Sequence, residues 1–222
     1  MSVKYYSQCL EDEFLNTYYF KNKKNGLYLE LGALDGVLYS NTKYFEDDHN
    51  WSGILIEPHP LKFELLKKNR PNNFLFNNLV SNKQEPLEFL YFTEYLTQVS
   101  GVVDSLSQHH YDAYFNNKKF SYIPQEKLLL QPKTLSEIIN NTGIKHIDLL
   151  SLDVEGHEYE VLMSFNFDIK IDVILIEMLG VQPNRDELCR QLLVNNGYIF
   201  SEKYKHNEIF ISSHFKSLRS TT

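Results

Sequence analysis

Short apolar runs that end in an acid recur along the chain and set its architecture. Residues 27–31 (LYLEL), 53–57 (GILIE), 147–153 (IDLLSLD) and 171–177 (IDVILIE) have the length and near-continuous apolarity of strands buried on both faces of a parallel sheet. Helical spacing fills the intervals. It predicts a helix over 8–21, with Leu10, Phe14, Leu15 and Tyr18 on one side, and a short one over 41–48 with Ser40 as its candidate cap. Further helices are predicted over 60–69, 134–141, 156–164 and 186–195, the last closed by Asn196-Gly197. Thr134 and Glu137 have capping-box spacing. Residues 74–80 predict another strand, and 87–92, whose alternation is poor, a peripheral one. Residues 198–203 and 208–212 predict a hairpin across Lys205-His206-Asn207. Strands alternating with helices make an α/β protein with a mostly parallel sheet, helices on both faces and an antiparallel edge. Residues 104–125 carry no periodicity, and read either as a substrate-facing insertion or as a disordered surface loop.

No repeat, linker or low-complexity tract divides the 222 residues, so residues 1–222 are read as one domain with 1–25 as a helical lead-in. Hydrophobic residues are 42% of the chain, enough for a buried core. The net charge of −7 argues against a nucleic-acid partner, and the basic run Lys21, Lys23, Lys24 reads as a solvated loop. Cys9 and Cys189 have no C-x-x-C spacing, which leaves a zinc site or redox pair without support. Neither a signal-peptide pattern nor an apolar run of membrane length occurs, so a soluble, cytoplasmic protein without a membrane partner is expected.

The chemistry concentrates where the strands end. Glu30, Glu57, Asp153 and Glu177 close the four main strands, and parallel strands bring their ends to one edge. Capping explains one such acid, but four poorly. Gly32 and Gly36 follow Glu30, and a tight glycine turn before a helix leaves backbone N–H groups for a ligand. The acid before the turn repels a pyrophosphate and suits an amine, which favours S-adenosylmethionine over a nicotinamide cofactor. Glu57 stands about 20 residues beyond the turn, at the distance of a ribose-binding carboxylate. The G-x-G-x-x-G and phosphate-loop lysine patterns are both absent.

Together these segments resemble the FkbM family of class I S-adenosylmethionine-dependent methyltransferases. The matching pieces, in order, are Ser7-Gln8 with Asp12, ELGALDGVLYSNT from Glu30, and Trp51 to Pro60 (WSGILIEPHP). They continue with Asn69-Arg70-Pro71, Val80-Ser81, and Leu152 to Glu158 with Val161-Leu162 behind it. The resemblance implies a Rossmann-like class I methyltransferase fold with a mostly parallel seven-stranded sheet and a C-terminal antiparallel hairpin. It implies that Glu30, Gly32, Ala33, Asp35 and Gly36 line the methionine end of the cofactor, completed by Ser40 and Asn41. Glu57, with Pro58 beside it, would hold the ribose, Ser81 would lie by the adenine, and Gln8 near the pocket. Asp153, Glu155 and His157 would be the catalytic groups, offering carboxylates and an imidazole to an oxygen nucleophile. The same acids suit a divalent ion, a reading placed below metal-free base catalysis. The expected reaction is O-methylation of a hydroxyl on a sugar, glycan or small metabolite. An FkbM-like binding module without catalysis and an NAD-dependent oxidoreductase remain as alternatives.

Overall fold

The computed structural model describes residues 3–219. Ten strands form two sheets: β1 (Leu27–Leu31), β2 (Ser52–Ile56), β3 (Phe74–Phe76), β4 (Leu87–Phe92), β5 (Gly101–Val102), β6 (Gln125–Leu130), β7 (His146–Leu152), β8 (Lys170–Glu177), β9 (Tyr198–Tyr204) and β10 (Asn207–Ser212). The main sheet has the order β3-β2-β1-β7-β8-β10-β9. Its first five strands pair in parallel, and β10 and β9 add an antiparallel hairpin. From β1 the chain builds outward through β2 to β3, then returns to lay β7 on the other side of β1. That reversal is a topological switch point, where the two flanking connections part and leave a crevice.

Side chains alternate between two apolar layers, as the pleat requires. Tyr28, Leu55, Leu149 and Val173 face Leu15, Phe20, Phe45, Trp51, Leu66 and Phe215. These come from helices Glu11–Leu15 (continued by a π-turn over Asn16–Phe20), Lys43–His49, Pro60–Asn69 and Ser213–Arg219, and, for Trp51, from the residue just before β2. Leu29, Ile54, Leu150 and Ile174 face Leu135, Ile138, Val161, Leu162 and Leu193, from helices Leu135–Asn140, Glu158–Met163 and Pro183–Asn195. Thr134 and Glu137 form the expected capping box. The described residues include no helix long and apolar enough to cross a membrane.

Four expectations change. The first helix starts at Glu11, because Leu10 adopts a left-handed backbone (φ 65°) and Ser7 bridges to Tyr39. The third strand stops at Phe76, and Val80 bridges instead to Lys133. The peripheral strand β4 lies outside the main sheet, in an antiparallel β5-β4-β6 sheet of which β5 and β6 had no sequence signal. Its alternation is weak because both faces are covered: Leu87, Phe89 and Tyr91 pack with Leu79 and Val102, and Leu90 and Phe92 with Val99, Leu106, Phe115 and Ile123. Residues 104–125 are therefore packed chain, with helical turns over Gln108–His110, Tyr111–Phe115 and Lys118–Phe120 and Phe115 stacked on Phe92.

Candidate active site

A cleft opens at the switch point, beyond the carboxyl ends of β1, β2, β7 and β8. Its empty space, open solvent at the mouth included, is about 1210 Å³. Glu30, Gly32, Asn41, Glu57, Pro58, Asp153, Glu155, His157 and Glu177 are on its wall. Gln8 and Glu11 reach it from the N-terminal segment, Asn78 to Val80 from the stretch after β3, and Thr97, Gln98, Ser100, Gly101 and Val102 around β5. His206 and Asn207 come from the hairpin. No Lys or Arg among the described residues lines it.

Glu30 is buried at the end of β1 and grips the turn that leads into the next helix. It accepts from the Ser40 hydroxyl (2.9 Å), the Thr42 hydroxyl (2.7 Å) and the Asn41 N–H (2.8 Å). Burial raises its pKa on balance, and the Arg70 guanidinium and these donors offset only part of that rise. Thr42 takes the N-cap position of helix Lys43–His49, but its side chain makes no cap bond; Ser40 Oγ, two places earlier, accepts the Lys43 N–H (3.1 Å) instead.

The glycine turn offers fewer free donors than its sequence suggests. Gly32 and Ala33 N–H both donate to the Ile56 carbonyl (3.2 Å each), Leu34 N–H to Glu57, and Val37 and Leu38 N–H to Asp35 Oδ1. Backbone donors at a buried turn must be satisfied somewhere, and here the protein satisfies them itself. Gly32 is required by proximity: a Cβ there would lie 2.0 Å from the Asp153 carbonyl oxygen, at a φ of +77°. Glu57 accepts the Leu34 and His59 N–H groups, each at 2.7 Å, one on each carboxylate oxygen. Its remaining lone pairs are left for a ligand in the cleft, and burial pushes its pKa up to about 7.

Across the cleft lies a group of acids. Carboxylate oxygens of Asp153, Glu158 and Glu177 are all within 4.8 Å of one another. Burial, then mutual repulsion, raises Glu177, which holds a proton and donates it to Asp153. Burial followed by the Asp153 charge also raises Glu155 well above the usual carboxylate range. Its Oε2 faces His110 Nδ1 at 3.4 Å, and His110 Nε2 donates to the Val99 carbonyl (2.8 Å), so Glu155 carries the proton between them. Glu158 reaches about 7 for the same reason of burial, although Val154 and Gly156 N–H groups bond to its Oε1. Burial pushes Asp153 itself up to about 6, so next to Glu155 and Glu177 it is the carboxyl that ionises first as pH rises. His157 is neutral near pH 7, because burial lowers its pKa to about 4. Its Nδ1 bonds Ser105 Oγ (2.6 Å), and its buried Nε2 has no hydrogen-bond partner. Three hard oxygens at this spacing suit a divalent cation as well as shared protons.

The fold brings Gln8, Glu30, Gly32, Asn41, Glu57, Pro58, Asp153, Glu155 and His157 to one cleft. It does not bring Ala33, Asp35, Gly36, Ser40 or Ser81 to the wall. Ala33 is in the core, Gly36 packs on Leu66 and Arg70, Ser40 stands behind Glu30, and Asp35 holds the turn. Ser81 is fully buried, its N–H on the Lys133 carbonyl; the Val80–Lys133 bridge turns it away and leaves Asn78, Leu79 and Val80 on the wall. Gln98, Ser100, His206 and Asn207 carry no local signal and are found only once the chain is folded.

Solved structures similar to the chain include a TehB-like SAM-dependent methyltransferase from Corynebacterium glutamicum (TM-score 0.43, 10% identity, covering 91% of this chain and 87% of that one). Others are a methyltransferase from Pyrococcus furiosus (0.43, 14%, 90% and 79%) and a precorrin-6y C5,15-methyltransferase from Geobacter metallireducens (0.39, 9%, 85% and 80%). No curated protein matches the sequence significantly. The sequence profile of the methyltransferase FkbM domain matches residues 30–200, from the first strand-end acid to the hairpin. The chain belongs to the FkbM methyltransferase family.

Proposed function

We propose that the protein transfers a methyl group from S-adenosylmethionine to a hydroxyl of a sugar, glycan or related small molecule. One observation carries the cofactor assignment: Glu11, Glu30, Glu57 and Asp153, with the protonated Glu155 and Glu177 behind them, line the cleft, and no Lys or Arg among the described residues does. A cofactor with a sulfonium and an ammonium suits such a wall, and a dinucleotide's pyrophosphate does not. When bound, S-adenosylmethionine supplies an electrophilic methyl group. Glu30 takes the amino group of its methionine end. The Glu57 carboxylate, fixed by two backbone N–H groups, takes the ribose hydroxyls. Asp153 takes the proton of the acceptor hydroxyl, while Glu155 and His157 orient that acceptor on the far side.

The hydroxyl acceptor is supported by the place of Asp153 on the cleft wall, with a pKa of about 6 that leaves it ionised at pH 7, and by the resemblance of its segment to the family. Calorimetric titration with S-adenosylmethionine and with NAD tests the cofactor: micromolar binding of the first and none of the second is expected. Absence of S-adenosylmethionine binding at high micromolar concentration refutes the proposal. A labelled-methyl screen over glycans and small hydroxylated metabolites then identifies the acceptor.

A further inference from the structure

Arg70 follows helix Pro60–Asn69, within the family stretch Asn69-Arg70-Pro71, and takes no part in the function proposed above. Its side chain is wholly buried and does not reach the cleft. Nε donates to Glu46 (2.6 Å), Nη1 to the Gly36 carbonyl (2.9 Å), and Nη2 to the Tyr28 hydroxyl (2.6 Å) and Thr42 Oγ1 (3.2 Å). Nη1 also lies 3.4 Å from Ser40 Oγ. The Ser40 and Thr42 hydroxyls then donate onward to Glu30, at 2.9 and 2.7 Å. The 40–42 turn is therefore held between a cation behind it and an anion on the cleft wall. A Cβ at Gly36 would fall 2.6 Å from Arg70 Cγ, so the loop lies close against the arginine. The planar fork of guanidinium donors is what serves three segments at once, and a lysine ammonium lacks that geometry.

A buried carboxylate needs a counter-charge or donors to remain an anion. Asp153 opposes Glu30 electrostatically from the end of β7, and Glu11 adds a carboxylate to the same wall. On β2 its register partner is the apolar Leu55. The Glu46 carboxylate lies on the far side of Arg70 and accepts from its Nε and from the Tyr28 hydroxyl. Arg70 is the cation that favours Glu30 ionisation, through two polarised hydroxyls.

We propose that Arg70 is a positioning residue for the cofactor, holding Glu30 as the aimed anion that receives the ammonium of the amino-acid end. This rests on the reading of the cleft as an S-adenosylmethionine site. The test compares two ligands: S-adenosylhomocysteine, which has the amino-acid end, and 5′-methylthioadenosine, the same nucleoside without it. Wild type, Arg70→Met and Thr42→Val are titrated with both. Arg70→Met is expected to weaken S-adenosylhomocysteine roughly 30-fold and Thr42→Val roughly fivefold, the scale of losing hydrogen bonds to a charged group. Binding of methylthioadenosine should change less than about twofold, since the nucleoside contacts stay intact.

A second readout separates charge from shape. Affinity for S-adenosylhomocysteine should rise with pH as Glu30 ionises, with a midpoint higher in Arg70→Met than in wild type. Equal losses for both ligands, or no loss for S-adenosylhomocysteine, overturns the proposal. Thr42→Val leaves the guanidinium in place and decides the matter should Arg70→Met not fold. Wild type binding neither ligand refutes the cofactor assignment itself, and the proposal with it.

Discussion

Glu158 lets the electrostatics of the acid group be measured without any ligand. Its carboxyl is buried, within reach of Asp153 and Glu177, and is moved by burial from an ordinary 4.5 to about 7. Between those values the folded chain holds a proton that the unfolded chain has released. Rising pH therefore costs the folded state about 1.4 kcal/mol per unit across that interval. By pH 8 the loss is complete and amounts to about 3 kcal/mol. Glu158→Gln removes the titration but keeps an oxygen for the Val154 and Gly156 N–H groups, and its new amide donor faces Asp153 and Glu177. The variant should match wild type at pH 5. It should exceed wild type by about 3 kcal/mol at pH 8, a melting temperature higher by roughly 6–12 °C for a chain of this size. Thermal unfolding followed by circular dichroism at the two pH values reads this directly. A gap between variant and wild type that stays constant from pH 5 to pH 8 refutes the reasoning.

Other residues of the cleft give sharper functional outcomes. Asp153→Ala should cut turnover by a factor of about 100 or more while cofactor affinity stays within threefold, and turnover within tenfold of wild type would remove Asp153 as the base. Glu57→Ala should weaken S-adenosylmethionine at least tenfold by calorimetry. It should also cost about 2–4 kcal/mol of stability, because the Leu34 and His59 N–H groups lose their buried acceptor. A variant with unchanged affinity would mean the ribose is held elsewhere. Gly32→Ala should lower the melting temperature by about 10 °C or more, since its Cβ would sit 2.0 Å from a backbone oxygen that cannot rotate away. Wild-type stability in that variant would contradict the close approach of the β1 turn to Asp153.

What the sequence made legible follows from where each signal is stored. Strands β1, β2, β7 and β8 are covered on both faces, so almost every position must be apolar and the runs stand out. Each main strand's terminal acid is equally visible, and the parallel pairing alone brings Glu30, Glu57, Asp153 and Glu177 to one crevice. Strand β6 is the opposite case. It is an edge paired only to β4, mostly exposed, and QEKLLL needs no alternation to sit there. Ser81 and Val80 are adjacent in sequence, and only the bridge to Lys133 decides which of them faces the cleft. Arg70 reads locally as a charged residue at a helix end. Its burial depends on Gly36, Thr42 and Tyr28, none of them near it in the chain.

The hairpin bears on how the protein is made. Asn207 Nδ2 donates to Glu11 Oε1 (3.3 Å), Tyr204 OH donates to the Cys9 carbonyl (3.0 Å), and the Phe14 and Tyr204 rings stack 4.1 Å apart. The cleft wall is thus shared by segments from opposite ends of the sequence. During synthesis the glycine turn and its acids emerge early, yet their last partners are translated some 170 residues later. A nascent chain shorter than that is left with an acid-lined edge whose rim is unfinished. Until the hairpin is present, the Cys9 carbonyl, Glu11 and Phe14 lack Tyr204 and Asn207, the partners that tie the N-terminal segment to the cleft rim.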